Sequence, residues 1–267
     1  MARGGLYTKH LDLTQTKGIY EQPVESWSFI YEASTTKNPN FDIGDRVILP
    51  GGREFVYAKS SAACGAGQGC EFTATGYTAY TAFAVAGSIG DMSVTVPAAT
   101  HAALTLDELR GGYIIIYAAT DDYCQFRGIV GNDAASANAL FKVYLDGPLS
   151  YAVTASTSAC ETFQNPYAAL RKGTEYTYSI AGVPATYVSA ANMYFFVQDK
   201  GPCRIAPTTS NVGENGGRGC FWRHNGALEG AEVALTATVP DADTSQYAGF
   251  CLEGSQAGNG PLFMLQG

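Results

Sequence analysis

Gly111-Gly-Tyr-Ile-Ile-Ile-Tyr117-Ala-Ala-Thr-Asp-Asp-Tyr-Cys-Gln-Phe-Arg-Gly-Ile-Val130 is the stretch that sets the fold class. Two apolar, β-branched and aromatic runs, Tyr113–Ala118 and Cys124–Val130, flank Asp121-Asp122. Such runs on either side of a short polar break read as a β-hairpin. Neighbouring residues on a strand point to opposite faces, so the adjacent aspartates are read as a turn rather than as a paired-carboxylate catalytic site. Working outward, further strand-like runs lie at Ala139–Leu145, Tyr151–Ala155, Met92–Val96 and Glu71–Val85, the last with Gly76 as a bulge or break. Arg46–Leu49 and Glu54–Ala58 flank Pro50-Gly51-Gly52, a second hairpin signal. Strands at spacings of about ten residues with dense turn signals predict a sandwich or barrel rather than βαβ units. Leu104–Arg110 alone reads as helix, with Thr105 as N-cap and Asp107-Glu108 in its first turn.

Beyond a boundary expected between Asn165-Pro166-Tyr167 and Gly173, strands are expected at Glu175–Ile180, Tyr194–Asp199, Arg204–Ala206, Ala231–Val239 and Tyr247–Glu253. The expected organisation is all-β with very little helix: an extended N-terminal arm over 1–40, a first β-domain over 41–168 and a smaller one over 169–267. A single elongated β-unit is the alternative. No repeat of fixed period argues for a propeller or solenoid. Residues 1–40 carry four basic and four acidic residues, and their apolar residues follow no sustained period. A polar arm with interspersed aromatics lies across its own domain or reaches onto a neighbour. Its candidate interface residues are Leu6, Tyr7, Leu11, Leu13, Ile19, Tyr20, Trp27, Phe29 and Tyr31.

Composition narrows the function classes. The 267 residues (28.2 kDa) include 31 Gly and 11 Pro, and only 15% are charged, which excludes a coiled coil, while 46% apolar content excludes a disordered chain. The net charge of −8, with no basic stripe, argues against nucleic acid and anionic membranes as partners. No run approaches the length of a membrane-spanning helix, and the N-terminal stretch lacks the apolar core of a secretory signal, so folding in a cytosol is expected. The seven cysteines show no paired rhythm and are expected to be mostly buried thiols, although Cys64 and Cys70 flank a glycine loop and could close a short disulfide after cell lysis.

Catalytic signals are sparse. Three histidines limit acid–base chemistry, and neither a Gly-x-Ser-x-Gly elbow nor a His-Glu-x-x-His motif occurs. The glycine loop Gly65-Ala-Gly67-Gln-Gly69-Cys70 lacks the spacing of a dinucleotide fingerprint, and the P-loop lysine is missing. Cys220-Phe-Trp-Arg-His224, with Cys203 and Cys251, is the best metal candidate, but a core thiol beside a surface histidine is the preferred reading. Tyr194-Phe195-Phe196 is either a sugar-stacking platform or, preferably, a buried strand. No catalytic, metal or cofactor-binding residue is assigned.

Several segments together resemble a known group. Gly52-Arg-Glu-Phe-Val-Tyr-Ala58, the hairpin Gly111–Tyr117 with Tyr123–Ile129, Phe141–Pro148, Asn165-Pro166-Tyr167, and Tyr194–Gln198 followed by Gly201-Pro202-Cys203 occur in an order similar to that of tailed-bacteriophage virion structural proteins of the capsid decoration or cement type. The likeness covers about residues 44–205; Arg218–Gly230 and the Gly/Asn loop before it have no counterpart. The resemblance implies a non-enzymatic protein on the outer surface of the virion, made in the host cytoplasm. It implies the major capsid protein and further copies of this chain as partners, most naturally as a homotrimer at threefold sites. The arm residues named above would then form the capsid or oligomer interface. Alternatives are another virion component (a head-fibre base, tail or receptor-binding protein) and a carbohydrate-binding β-sandwich protein.

Overall fold

A computed structural model describes residues 10–12, 24–49, 51–65, 67–73, 76–117, 124–174, 178–205, 212, 218–230, 246–254 and 260–266. Among them run β1 (His10–Asp12), β2 (Arg46–Ile48), β3 (Glu54–Lys59), β4 (Cys70–Phe72), β5 (Gly76–Ala82), β6 (Ser93–Val96), β7 (Tyr113–Tyr117), β8 (Cys124–Asn132) and β9 (Phe141–Leu145). They are followed by β10 (Ala159–Phe163), β11 (Leu170–Lys172), β12 (Ile180–Pro184), β13 (Tyr194–Arg204), β14 (Gly219–Trp222), β15 (Leu228–Gly230), β16 (Gln246–Glu253) and β17 (Leu262–Leu265). The fold is all-β, in two curled sheets, and its helical content among the described residues is short 3-10 turns. The chain separates into two compact units: Ala74–Pro166, and Thr8–Thr73 with Tyr167–Gly267.

The unit over Ala74–Pro166 holds a six-stranded antiparallel sheet in the order β5-β10-β7-β8-β9-β6. The expected hairpin is present: β7 pairs β8 with Ile115 opposite Phe126, while Asp121-Asp122 lie outside the described residues. Alternation sends Ile114, Ile116, Ile129, Phe141, Val143 and Leu145 into one apolar core. Gly112, just before β7, must be glycine, because a Cβ there would stand 2.2 Å from the Phe163 carbonyl oxygen. The neighbour of β7 on that side is β10, a strand the sequence reading did not anticipate. Thr162 on β10 is buried and shares a 2.8 Å hydroxyl–hydroxyl bond with Thr78, so a polar-looking segment becomes an interior strand. Tyr151–Ala155, expected as a strand, contributes only a bridge between Val153 and Gly87.

Leu104–Arg110 does not form the expected helix. Asp107 takes φ +59° and the segment folds as successive turns. The fully buried Asn132 organises it. The Asn132 side chain accepts from Leu109 N (2.8 Å) and donates to Thr105 O (2.9 Å), while its carbonyl accepts from Asp107 N (3.0 Å). A distant amide therefore supplies the hydrogen bonds that a two-turn helix would otherwise make with itself.

The other unit is built on β1-β2-β3-β13-β17-β16-β14-β15, with β12 beside β13 and with β4 joining β11 and β12. The β2–β3 hairpin forms as expected, its turn passing through Gly51 (φ +93°) and Gly52 (φ +79°). The two segments expected at 194–199 and 204–206 join as one long strand, β13, which pairs first with β3 and then with β17. Consecutive residues of β3 and β13 enter different cores: Phe55, Tyr57 and Phe196 on one face, Val56, Ala58, Phe195 and Val197 on the other. A third cluster gathers Trp222, Leu228, Phe263 and Leu265.

These pairings differ from the sequential division at residue 168. Residues 41–73 pack with the chain after 167, because β3 hydrogen-bonds to β13 and β4 to β11 and β12. The start of the chain differs too. Residues 24–40, expected within an extended arm, include a 3-10 helix, Val24–Tyr31, and a bridge in which Ser34 and Tyr194 exchange backbone hydrogen bonds. Burial of Ile30 explains this: an apolar side chain with a core to enter will not stay on an arm.

Candidate functional site

The arm candidates separate by position. Leu6, Tyr7, Leu13, Ile19 and Tyr20 lie outside the described residues. Leu11 sits in the middle of β1, paired in parallel with Val47 of β2. Trp27 and Phe29 pack against their own unit's core, Phe29 stacking on Phe41 with ring centroids 5.3 Å apart and meeting Phe196 edge-on. Tyr31 alone of these three is exposed, its hydroxyl accepting a 3.1 Å bond from Arg53. Trp27 and Phe29 thus pack, partly buried, against the core of their own unit.

A set of exposed rings lies elsewhere, on the outer face of the six-stranded sheet. With Ile114 and Ile116 facing the core, the alternate positions Tyr113, Ile115 and Tyr117 of β7 face outward. The β7–β8 register places Phe126 opposite Ile115, and β10 places Glu161 opposite Ile115 on the other side. Tyr113 lies opposite Gly128, which offers no side chain, and its ring stacks on Phe126 (5.1 Å, 18°). Tyr80, on the edge strand β5, reaches Tyr117 across β10 (5.2 Å). Tyr80 is 60% and Phe126 56% exposed. The Tyr117 hydroxyl donates to the Glu161 carboxylate (3.4 Å), and burial followed by that carboxylate raises the phenol's pKa, so the proton stays on the ring oxygen.

This surface is legible in the quoted hairpin once its faces are known. A sheet covered on one side normally shows polar residues on the other, yet the outward positions here are Tyr, Ile, Tyr and Phe. What the local pattern does not contain is the approach of Tyr80 and Glu161, which depends on β10 entering between β5 and β7.

The buried charged groups have structural employment. Glu71, fully buried, accepts from Arg171 Nε (2.7 Å), Thr174 N (2.9 Å) and Thr174 Oγ1 (3.3 Å). Asp199 is held by the Arg46 guanidinium, with Glu54 3.6 Å from the same nitrogen; burial raises the Asp199 pKa against the pull of Arg46. Six of the seven cysteines are buried and Cys124 is exposed. Burial pushes the thiols of Cys160, Cys203 and Cys220 up to about 12, far from the range of a nucleophilic thiolate. Cys64 and Cys70 stand as free thiols within one core cluster. Cys220 is a core residue of β14 and His224 lies in the turn after it. Among the described residues no group of three or more His, Cys, Asp or Glu is placed to hold a metal ion. Phe195 and Phe196 are buried, so the Tyr194 run is a core strand and not a stacking platform. No described helix is long and apolar enough to cross a membrane. Comparison with family models, curated proteins and solved structures finds no match for this chain.

Proposed function

We propose that this chain is a non-enzymatic virion structural protein of the capsid-decoration type, which binds the outside of a shell built by a major capsid protein and associates with its own copies as a homotrimer. The observation that carries the reading is the aromatic outer face around Tyr113, Tyr117 and Phe126, a large exposed apolar surface on a sheet whose other side is a packed core. Such a surface on a β-scaffold suits docking more than chemistry. The segments that carry the resemblance to decoration proteins support it as well: they lie on β3, the β7–β8 hairpin, β9 and β13, the strands around which both sheets are organised.

The test is co-sedimentation of the purified chain with capsids of the source virus that lack it. Saturation at a fixed ratio to the major capsid protein is the expected result. Saturation at about a dozen copies or fewer per particle would point to a vertex, fibre or tail component instead. Absence of co-sedimentation overturns the reading.

A further inference from the structure

We propose that the outer face of the six-stranded sheet is a binding platform for neutral carbohydrate, with Tyr80, Tyr113, Tyr117 and Phe126 as its stacking surface and Glu161 as its central hydrogen-bond acceptor. The proposal does not depend on the shell-binding reading.

Charge argues first. Glu161 is the one ionised group among the outward residues of β5, β10, β7 and β8, since Arg127 lies on the opposite side, opposite Ile114, donating to Pro148 O and Ser150 Oγ. The part of the face formed by these four strands thus carries a carboxylate and no cation among its described residues, Lys142 lying outward on β9 beyond them, and it disfavours phosphate, sulfate and nucleic acid. Two copies of the chain packed here face to face would bring two carboxylates together out of water with no cation between them, which is costly. A neutral sugar meets neither objection. Its axial C–H face needs an apolar ring to lie on, and its equatorial hydroxyls need acceptors and donors at the rim.

The surface has both. The phenol oxygens of Tyr80, Tyr113 and Tyr117 carry polar groups at the outer ends of apolar rings, and Ile115 floors the space between β8 and β10. Glu161 is oriented by the Tyr117 hydroxyl, and its carboxylate retains acceptor capacity for ligand hydroxyls. The ring pairs Tyr80–Tyr117 and Tyr113–Phe126 hold each other in contact before any ligand arrives, which lowers the ordering cost of binding.

The experiment is native electrophoresis of the full chain through gels containing soluble starch, dextran, hydroxyethylcellulose or galactomannan, followed by titration calorimetry with the hexasaccharide of whichever retards it. At least one polysaccharide should slow the wild type. The double variant Tyr80→Ala, Phe126→Ala should weaken hexasaccharide binding by about tenfold or more, and Glu161→Gln by a smaller factor. Tyr187→Ala, an exposed aromatic of the other unit, should bind as the wild type does. Thermal melts of each variant establish that a loss of binding is not a loss of fold. Absence of retardation in all four polysaccharides overturns the proposal, as does retardation that the double variant retains or that Tyr187→Ala abolishes equally. If no polysaccharide retards the chain but the double variant loses capsid binding, the face is a protein-docking surface and the carbohydrate proposal fails alone.

Discussion

The strand pair β3–β13 and the strand pair β7–β8 differ in how their aromatic residues are covered. In the sheet of β3 and β13 both faces are covered, so Phe55, Tyr57 and Phe196 are interior packing elements, and even the ion pairs Arg46–Asp199 and Arg171–Glu71 are largely withdrawn from water. In the sheet of β7 and β8 one side is a packed core of aliphatic residues with Phe83 and Phe141, and the rings of Tyr80, Tyr113 and Phe126 stand on the other side in solvent. The same residue types thus pack a core on β3 and β13 and stand in solvent on β7 and β8. Covering decides which: β13 runs between β3, β12 and β17 with clusters on both faces, whereas nothing among the described residues of its unit lies over the outer face of β7.

Three perturbations test that contrast, the most damaging first. Phe196→Ala removes a ring that meets Phe29, Phe41 and Tyr57, and should cost about 4 kcal/mol. Both tryptophans, Trp27 and Trp222, belong to the same unit as Phe196, so the loss should appear in the tryptophan-fluorescence unfolding curve. Amide exchange in β7 and β8 should be unchanged; equal loss of protection there would mean that the units unfold together.

Arg46→Met, next in size, leaves the buried Asp199 carboxylate without its cation and should cost about 3 kcal/mol at neutral pH. Its pH dependence has a definite sign. A carboxyl whose pKa is higher folded than unfolded binds its proton more tightly in the folded state. Asp199 therefore lowers stability at neutral pH, and the penalty is relieved as pH falls through its folded pKa, which burial raises above its ordinary value. Removing Arg46 takes away the force that opposes this rise. Denaturation midpoints at pH 7 and pH 5 should therefore converge toward wild type at the lower pH, and a gap that widens on acidification would contradict the assignment.

Tyr80→Ala and Phe126→Ala should have the smallest effect, each within about 0.5 kcal/mol of wild type in thermal or chemical unfolding, because both rings are more than half exposed. A loss of several kcal/mol would show that these rings support the fold, and would end their role as a recognition surface.

Much of the fold is legible in the sequence. The hairpins β2–β3 and β7–β8 announce themselves through runs of β-branched and aromatic residues separated by turn residues, and Gly51 and Gly52 adopt the positive φ that the turn needs. Ala159–Phe163 was missed because Cys, Glu and Thr do not look like an interior strand until Thr78 is known to bond Thr162. The helix expected at Leu104–Arg110 failed for a related reason: its capping pattern is real, since Glu108 accepts from Thr105 N (2.8 Å), but the amide of Asn132 competes for the same backbone. Of the candidate site, the outward aromatics of the hairpin are a pattern in the sequence, while the packing of Trp27 and Phe29 against Phe41 and its neighbours depends on tertiary contacts.

The sequence by itself determined that this chain is all-β, where its short-range hairpins turn, and that its net charge is −8. Those are properties of neighbouring residues and of sums over the chain. Tertiary structure alone decided that β3 joins β13, that β10 enters between β5 and β7, and that Tyr80, Tyr117 and Glu161 therefore meet on one face. A strand's alternation states only that it has two faces. Which strand lies beside it, and whether anything covers each face, depends on pairings between distant segments that local pattern does not encode.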